Sequence, residues 1–147
     1  MFKHILVPTD GSKLSLKAID LAAALAQSTN AKVTAVTVSP TYPTMIGGDG
    51  YMMPAMAPAQ WDEAIARRTD RIRRDVDKRT AVCKITAGFV ETIVDSVYVG
   101  ILDTAKRQKC DLIVMASHGR GGLSALLLGS ETQKVLTHSK LPVLVCR

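Results

Sequence analysis

The chain has 147 residues, 47% apolar and 4% aromatic, with 19 basic and 13 acidic side chains for a net charge of +6. That length suits one domain with a substantial core, and no apolar run approaches the roughly 18 residues that cross a bilayer. The apolar stretch after Lys3 is too short for a signal-peptide core, which predicts a cytoplasmic protein with no membrane partner.

Strand and helix signals alternate along the chain. His4–Val7 reads as a short strand closed by Pro8. Ser12–Ser28 reads as a helix with Leu14, Ala18, Leu21, Ala22 and Leu25 on one face, and Asn30 as its left-handed stop. Lys32–Val38, rich in Val and Thr, is a second strand. Thr41–Pro58 interrupts the rhythm with prolines, glycines and four of the six methionines, and predicts a mobile loop.

A long helix follows over Ala59–Arg79, with Ile65, Thr69, Ile72 and Val76 inward. Its basic residues interleave with acids, and Glu63/Arg67, Asp70/Arg74 and Asp75/Arg79 stand four apart with the acid first, the favourable helical order. This predicts a solvated, salt-paired face rather than a nucleic-acid surface. Phe89–Val94 is a third strand, Tyr98–Gln108 a helix, Leu112–Ala116 a fourth strand, Ser130–Ser139 a helix and Val143–Cys146 a last strand.

Strands such as Leu112–Met115 are apolar without alternation, as expected when helices cover both faces of a parallel sheet. The predicted architecture is a single doubly wound α/β domain over residues 1–147, with five parallel strands and helices on both faces. Cys83, Cys110 and Cys146 form no Cys-x-x-Cys pair, and His4, His118 and His138 lack ligand spacing. Neither a disulfide framework nor a metal site follows, and Cys110 and Cys146 read as small buried side chains.

Ligands of such sheets bind beyond the carboxyl ends of the strands, where the winding reverses. With strand order 3-2-1-4-5 that point lies between the first and fourth strands, and Asp10 and Gly119 would face each other there. The stretch Ala116–Ser130 places a glycine turn, an apolar helical segment and a Gly-Ser step that opens another helix. Backbone N–H groups and the helix dipole at such starts favour an anion. Ser130 with Gln133 also matches a capping box, so Ser130 has a structural reading beside the phosphate one. Asp10 likewise reads as a turn aspartate or as a carboxylate for a ribose or base. His118 and Arg120 are either phosphate ligands or a turn residue and a solvated cation.

These residues carry a resemblance. From HILVPTDGS (His4–Ser12) through Asp111–Val145 the chain resembles the universal stress protein family, whose nucleotide-binding branch has the pattern G-x2-G-x9-G-[S/T]. The chain reads Ala116-x2-Gly119-x9-Gly129-Ser130. The resemblance implies the 3-2-1-4-5 sheet and an ATP site, with or without magnesium. Asp10 would contact the nucleoside, the backbone of Val38 the adenine, and Gly119, Gly129 and Ser130 the phosphates. The full expected set is Pro8, Thr9, Asp10, Val38, Ala116, His118, Gly119, Arg120, Gly129, Ser130 and Glu131.

Two positions depart from the pattern. Ala116 replaces the first motif glycine and adds a methyl where backbone approaches ligand. Asp95-Ser96-Val97 stands where a Gly-x-Pro turn is common. The sequence offers no nucleophile–base pair or paired carboxylates, so the expectation is a regulatory binding protein, not an enzyme. A scaffold of the same family that does not bind nucleotide, and a slow ATP hydrolase, are the alternatives. The apolar edge Val143–Val145 predicts a homodimer, because self-pairing covers an exposed edge.

Overall fold

The computed structural model describes residues 1–43, 57–119 and 128–147. In chain order the elements are β1 (His4–Pro8), α1 (Lys13–Thr29), β2 (Lys32–Ser39), α2 (Pro58–Val82), β3 (Gly88–Ile93), α3 (Val97–Arg107), β4 (Leu112–Ala116), α4 (Ser130–His138) and β5 (Val143–Cys146). Most of the Met-rich stretch expected to be a mobile loop lies outside the described residues.

All five strands are parallel, in the order β3-β2-β1-β4-β5. Of the two strands flanking the reversal, β1 is buried at its three central residues and β4 at every residue. Alternate side chains feed two cores. Ile5, Val7, Leu112 and Val114 meet Ile19 of α1 and Ile72 and Val76 of α2 on one face. Leu6, Ile113 and Met115 meet Ile101 of α3 and Val135 of α4 on the other. Among the described residues no helix is long and apolar enough to cross a membrane.

Local chemistry sets the ends of α1. The Ser12 hydroxyl accepts from the Ser15 N–H at 3.2 Å, and Asn30 stops the helix at φ 55°, ψ 37°. The inward stripe differs from the expected one. Ser15, Ala18, Ile19, Ala22, Ala23 and Ala26 are buried, whereas Leu21 is 40% exposed. The stripe is centred on Ala22, and Leu21 lies about 100° away around the helix. On α2, Thr69, Ile72 and Val76 are buried as expected and Ile65 is only half-buried.

The charge pairing on α2 also needs correction. Glu63 and Arg67 do pair, at 2.5 Å. Arg79 instead reaches Asp20 of α1, and Asp70 and Arg74 form no ion pair. Packing of α2 against α1 brings a tertiary partner within reach of Arg79, while Arg73 lies over the Phe89 ring at 4.8 Å.

Asp111 fixes the register at the reversal. Its carboxylate accepts the N–H groups of Lys3 at 2.8 Å and His4 at 2.9 Å, and its own N–H donates to the His4 carbonyl. Burial pushes this carboxyl up, but the backbone donors outweigh it and hold it below the usual range.

Among the described residues, one buried side-chain polar atom lacks a partner. The Thr37 hydroxyl on β2 is fully buried without a hydrogen bond. Thr37→Val keeps the shape and removes that desolvation cost, so it is expected to stabilise the fold by about 1 kcal/mol and raise Tm by roughly 2–4 °C. Calorimetric unfolding checks this, and an unchanged or lower Tm contradicts it.

Candidate functional site

A cleft of about 390 Å³ opens at the carboxyl ends of β1, β2 and β4. Its first wall is the turn from β1 into α1. The Thr9 N–H donates to the Val36 carbonyl at 2.9 Å, extending the β1–β2 pairing past Pro8. The buried Thr9 hydroxyl accepts the Gly11 N–H at 3.2 Å and meets the Ser15 hydroxyl at 3.0 Å. Gly11 takes φ 78°, a conformation that costs a residue with a Cβ. The chain therefore turns sharply and leaves Asp10 at the cleft.

Asp10 makes the turn and lines the cleft. Its Oδ1 accepts the Ser12 N–H at 2.9 Å, the aspartate turn. Its Oδ2 faces Gly119 across the reversal point, where a Cβ on Gly119 would lie 2.7 Å from that oxygen. Residues more than a hundred positions apart thus approach so closely that a Cβ on Gly119 would displace the Asp10 carboxylate.

The opposite wall is the end of β4 with the start of α4. Ala116 is buried, and its carbonyl accepts the Thr132 hydroxyl at 3.0 Å. The Gly129 N–H donates to the Ser117 carbonyl at 2.7 Å, and a Cβ on Gly129 would meet the His118 Cα at 3.1 Å. This docks the first turn of α4 on the cleft, with Ser130, Glu131 and Thr132 lining it. The first N–H groups of a helix have no partner within it and carry its positive dipole end.

The expected capping box does not form. Gly129 is the cap residue, Ser130 lies one position inside the helix, and the Gln133 amide donates to the Leu128 carbonyl at 3.1 Å. The capping reading of Ser130 therefore falls, and its exposed side chain stands at the cleft.

The other expected residues divide as follows. Pro8, Val38 and His118 line the cleft, with the His118 ring held 3.1 Å from the Ser117 hydroxyl. Glu131 lines it too, but its carboxylate is bound to the Tyr98 N–H at 3.0 Å and to Lys134 at 2.8 Å. Arg120 lies outside the described residues. Among those described, no group of three or more His, Cys, Asp or Glu is placed to hold a metal. Cys110 is buried, and desolvation, with Asp111 beside it, pushes its thiol up to about 11.

Several lining residues lay outside the sequence motifs. Val36, Val97, Ile101 and Met115 make an apolar end beside Val38. Arg68 of α2 also lines the cleft, half-buried one residue before the inward Thr69. The signal for it was present in the helical register, since Thr69 was read as inward. The dense charge pattern of α2 obscured it.

The Universal stress protein family profile matches residues 1–147. The chain belongs to the universal stress protein family. A universal stress protein of Thermus aquaticus is 31% identical over 147 residues, covering the full length of both chains. The solved structure of a Lactobacillus plantarum universal stress protein is 28% identical, with a TM-score of 0.77, covering 99% of this chain and 97% of that one. A second solved universal stress protein, in complex with cAMP, is 25% identical with a TM-score of 0.73, covering 99% and 97%. This universal stress protein thus shares its fold with its structural relatives.

Proposed function

We propose that this universal stress protein binds an adenine nucleotide, ATP with or without magnesium, in the cleft between β1 and β4, and that it regulates rather than catalyses. The observation that carries the reading is the juxtaposition of Asp10 with Gly119 beside the N-terminus of α4. A carboxylate suits the hydroxyls or amino group of a nucleoside, and free N–H groups at a helix start suit phosphate. The apolar end at Val36, Val38, Val97 and Ile101 suits the base, with Pro8 and Thr9 shaping its floor. The relative solved with cAMP supports an adenine ligand. In this reading Ser130 and Glu131 offer their backbone N–H groups to the phosphates, Gly119 and Gly129 leave room for the close approach, and His118 lies at the edge; Arg120 is proposed as a further phosphate ligand.

Titration calorimetry with ATP, with and without magnesium, tests the reading. Saturable heat supports it, and no heat at millimolar ATP favours a scaffold that uses the fold without the ligand. A phosphate-release assay separates binding from slow hydrolysis.

Ala116 bears on the affinity. It lines the cleft in place of the first motif glycine. If its methyl intrudes on the ligand, Ala116→Gly is expected to lower the ATP Kd roughly threefold. The same change costs the strand about 0.5–1 kcal/mol of stability. An unchanged Kd removes the methyl from the account.

The protein is further proposed to act as a cytoplasmic homodimer through β5. That strand ends the sheet, and Leu144 on it and Leu136 on α4 are each 40% exposed. Light scattering over a concentration series is expected to give a dimer mass, and a monomer throughout rejects the edge pairing.

A further inference from the structure

We infer that Glu131 is a positioning residue that latches the apolar end of the cleft to its α4 end by capping α3 from α4. The helix α3 begins without its own cap. Its cap residue Ser96 makes no side-chain hydrogen bond, and its first turn holds no acidic residue. The neighbouring Asp95 is drawn away, accepting both the N–H of Thr41 at 3.1 Å and its hydroxyl at 2.5 Å. Orphan N–H groups at a helix start need an acceptor. The acceptor for Tyr98 comes from 33 residues further along the chain, as Glu131 Oε2 at 3.0 Å.

Glu131 is also the acidic residue of the first turn of α4. One carboxylate therefore stands at the starts of two helices. Its other oxygen takes Lys134 at 2.8 Å, one turn along α4. The Tyr98 ring closes the clasp, with the Lys134 ammonium 5.8 Å and the His138 ring 5.0 Å from its centre. Tyr98 is thus gripped by α4 through backbone and ring.

The consequence concerns the cleft. Val97 and Ile101 bring α3 to its apolar end, and Ser130 and Thr132 bring α4 to its N–H end. The latch fixes the distance between these ends, and so acts on a ligand that spans both. This part rests on the nucleotide reading. A half-ligand that touches one of these ends has no use for the spacing, whereas ATP requires both ends in register.

The test compares Glu131→Ala and Glu131→Gln with the wild type. Tyr98 amide exchange is followed without ligand, and calorimetry is run with ATP, adenosine and inorganic tripolyphosphate. In Glu131→Ala the Tyr98 amide is expected to exchange about tenfold faster and the ATP Kd to rise about tenfold, with adenosine and tripolyphosphate changed less than about twofold. Glu131→Gln keeps an acceptor for Tyr98 and is expected to stay within about threefold of wild type throughout. Unchanged Tyr98 exchange and ATP affinity in Glu131→Ala overturn the latch. Equal losses for ATP and adenosine also overturn it, since they mark general loosening. A loss confined to magnesium-containing buffer makes Glu131 a metal contact and overturns it as well. If the wild type takes no ATP, the nucleotide reading falls, and the exchange rates in the unliganded variants decide the latch.

Discussion

Asp10→Ala is expected to raise the ATP Kd by roughly 30-fold, about 2 kcal/mol, because a charge-assisted hydrogen bond to the nucleoside is lost. The fold should lose about 1 kcal/mol as well, since the Ser12 N–H gives up its acceptor at the entrance to α1. Asp10→Asn separates the two effects. It keeps an oxygen for Ser12 but removes the charge, so stability should hold while affinity still falls. Gly119→Ala should produce a similar loss from the other side, because its Cβ would meet Asp10 Oδ2 at 2.7 Å and force that carboxylate to move. Calorimetric titration and thermal unfolding read both quantities. Unchanged ATP affinity in Asp10→Ala would remove Asp10 from the site.

The second large effect is expected in the core. Ile72 is fully buried on α2, where it packs with Ile19 and Val76 against β1 and β2. Only Thr69, Ile72, Val76 and Thr80 of this 25-residue helix are buried, so α2 rests on a narrow stripe. Ile72→Ala should cost about 3 kcal/mol through lost burial and the cavity left behind. Denaturant unfolding should show the midpoint falling with the m-value kept. A loss under about 1 kcal/mol would mean that the helix resettles over the gap. Arg68 enters the cleft from the same helix, so ATP affinity should fall with the packing.

Much of the fold was legible because short apolar runs bounded by turn residues alternate with helical patterns, as in a parallel sheet. Leu112–Ala116 has no polar alternation and proves buried along its whole length. Asn30 was readable as a stop because few other residues adopt its left-handed conformation so cheaply. The motif spacing from Ala116 to Ser130 located one side of the cleft, and the Pro-Thr-Asp step located the other.

What was misread depends on tertiary contact. Leu21 fits a helical stripe by spacing, but the alanines around Ala22 permit closer approach to the sheet and turn the helix toward them. Arg79 has an acid four residues before it and takes Asp20 of a neighbouring helix instead. Ser130 with Gln133 has the letters of a capping box, yet Gly129 takes the cap because the Ser117 carbonyl holds its N–H. The Glu131 carboxylate takes the Tyr98 N–H, a partner 33 residues away that no local spacing reveals. None of these partners is local, and spacing rules see only local partners.

The central claim is that a nucleotide bridges Asp10 and the start of α4, and amide chemical-shift mapping with ATP tests it most directly. The account predicts that the largest shifts fall on the N–H groups of Asp10, Val38, Gly119, Gly129 and Ser130 in one saturable transition. Shifts absent from all five at millimolar ATP, or clustered on the outer face of α2, would contradict it.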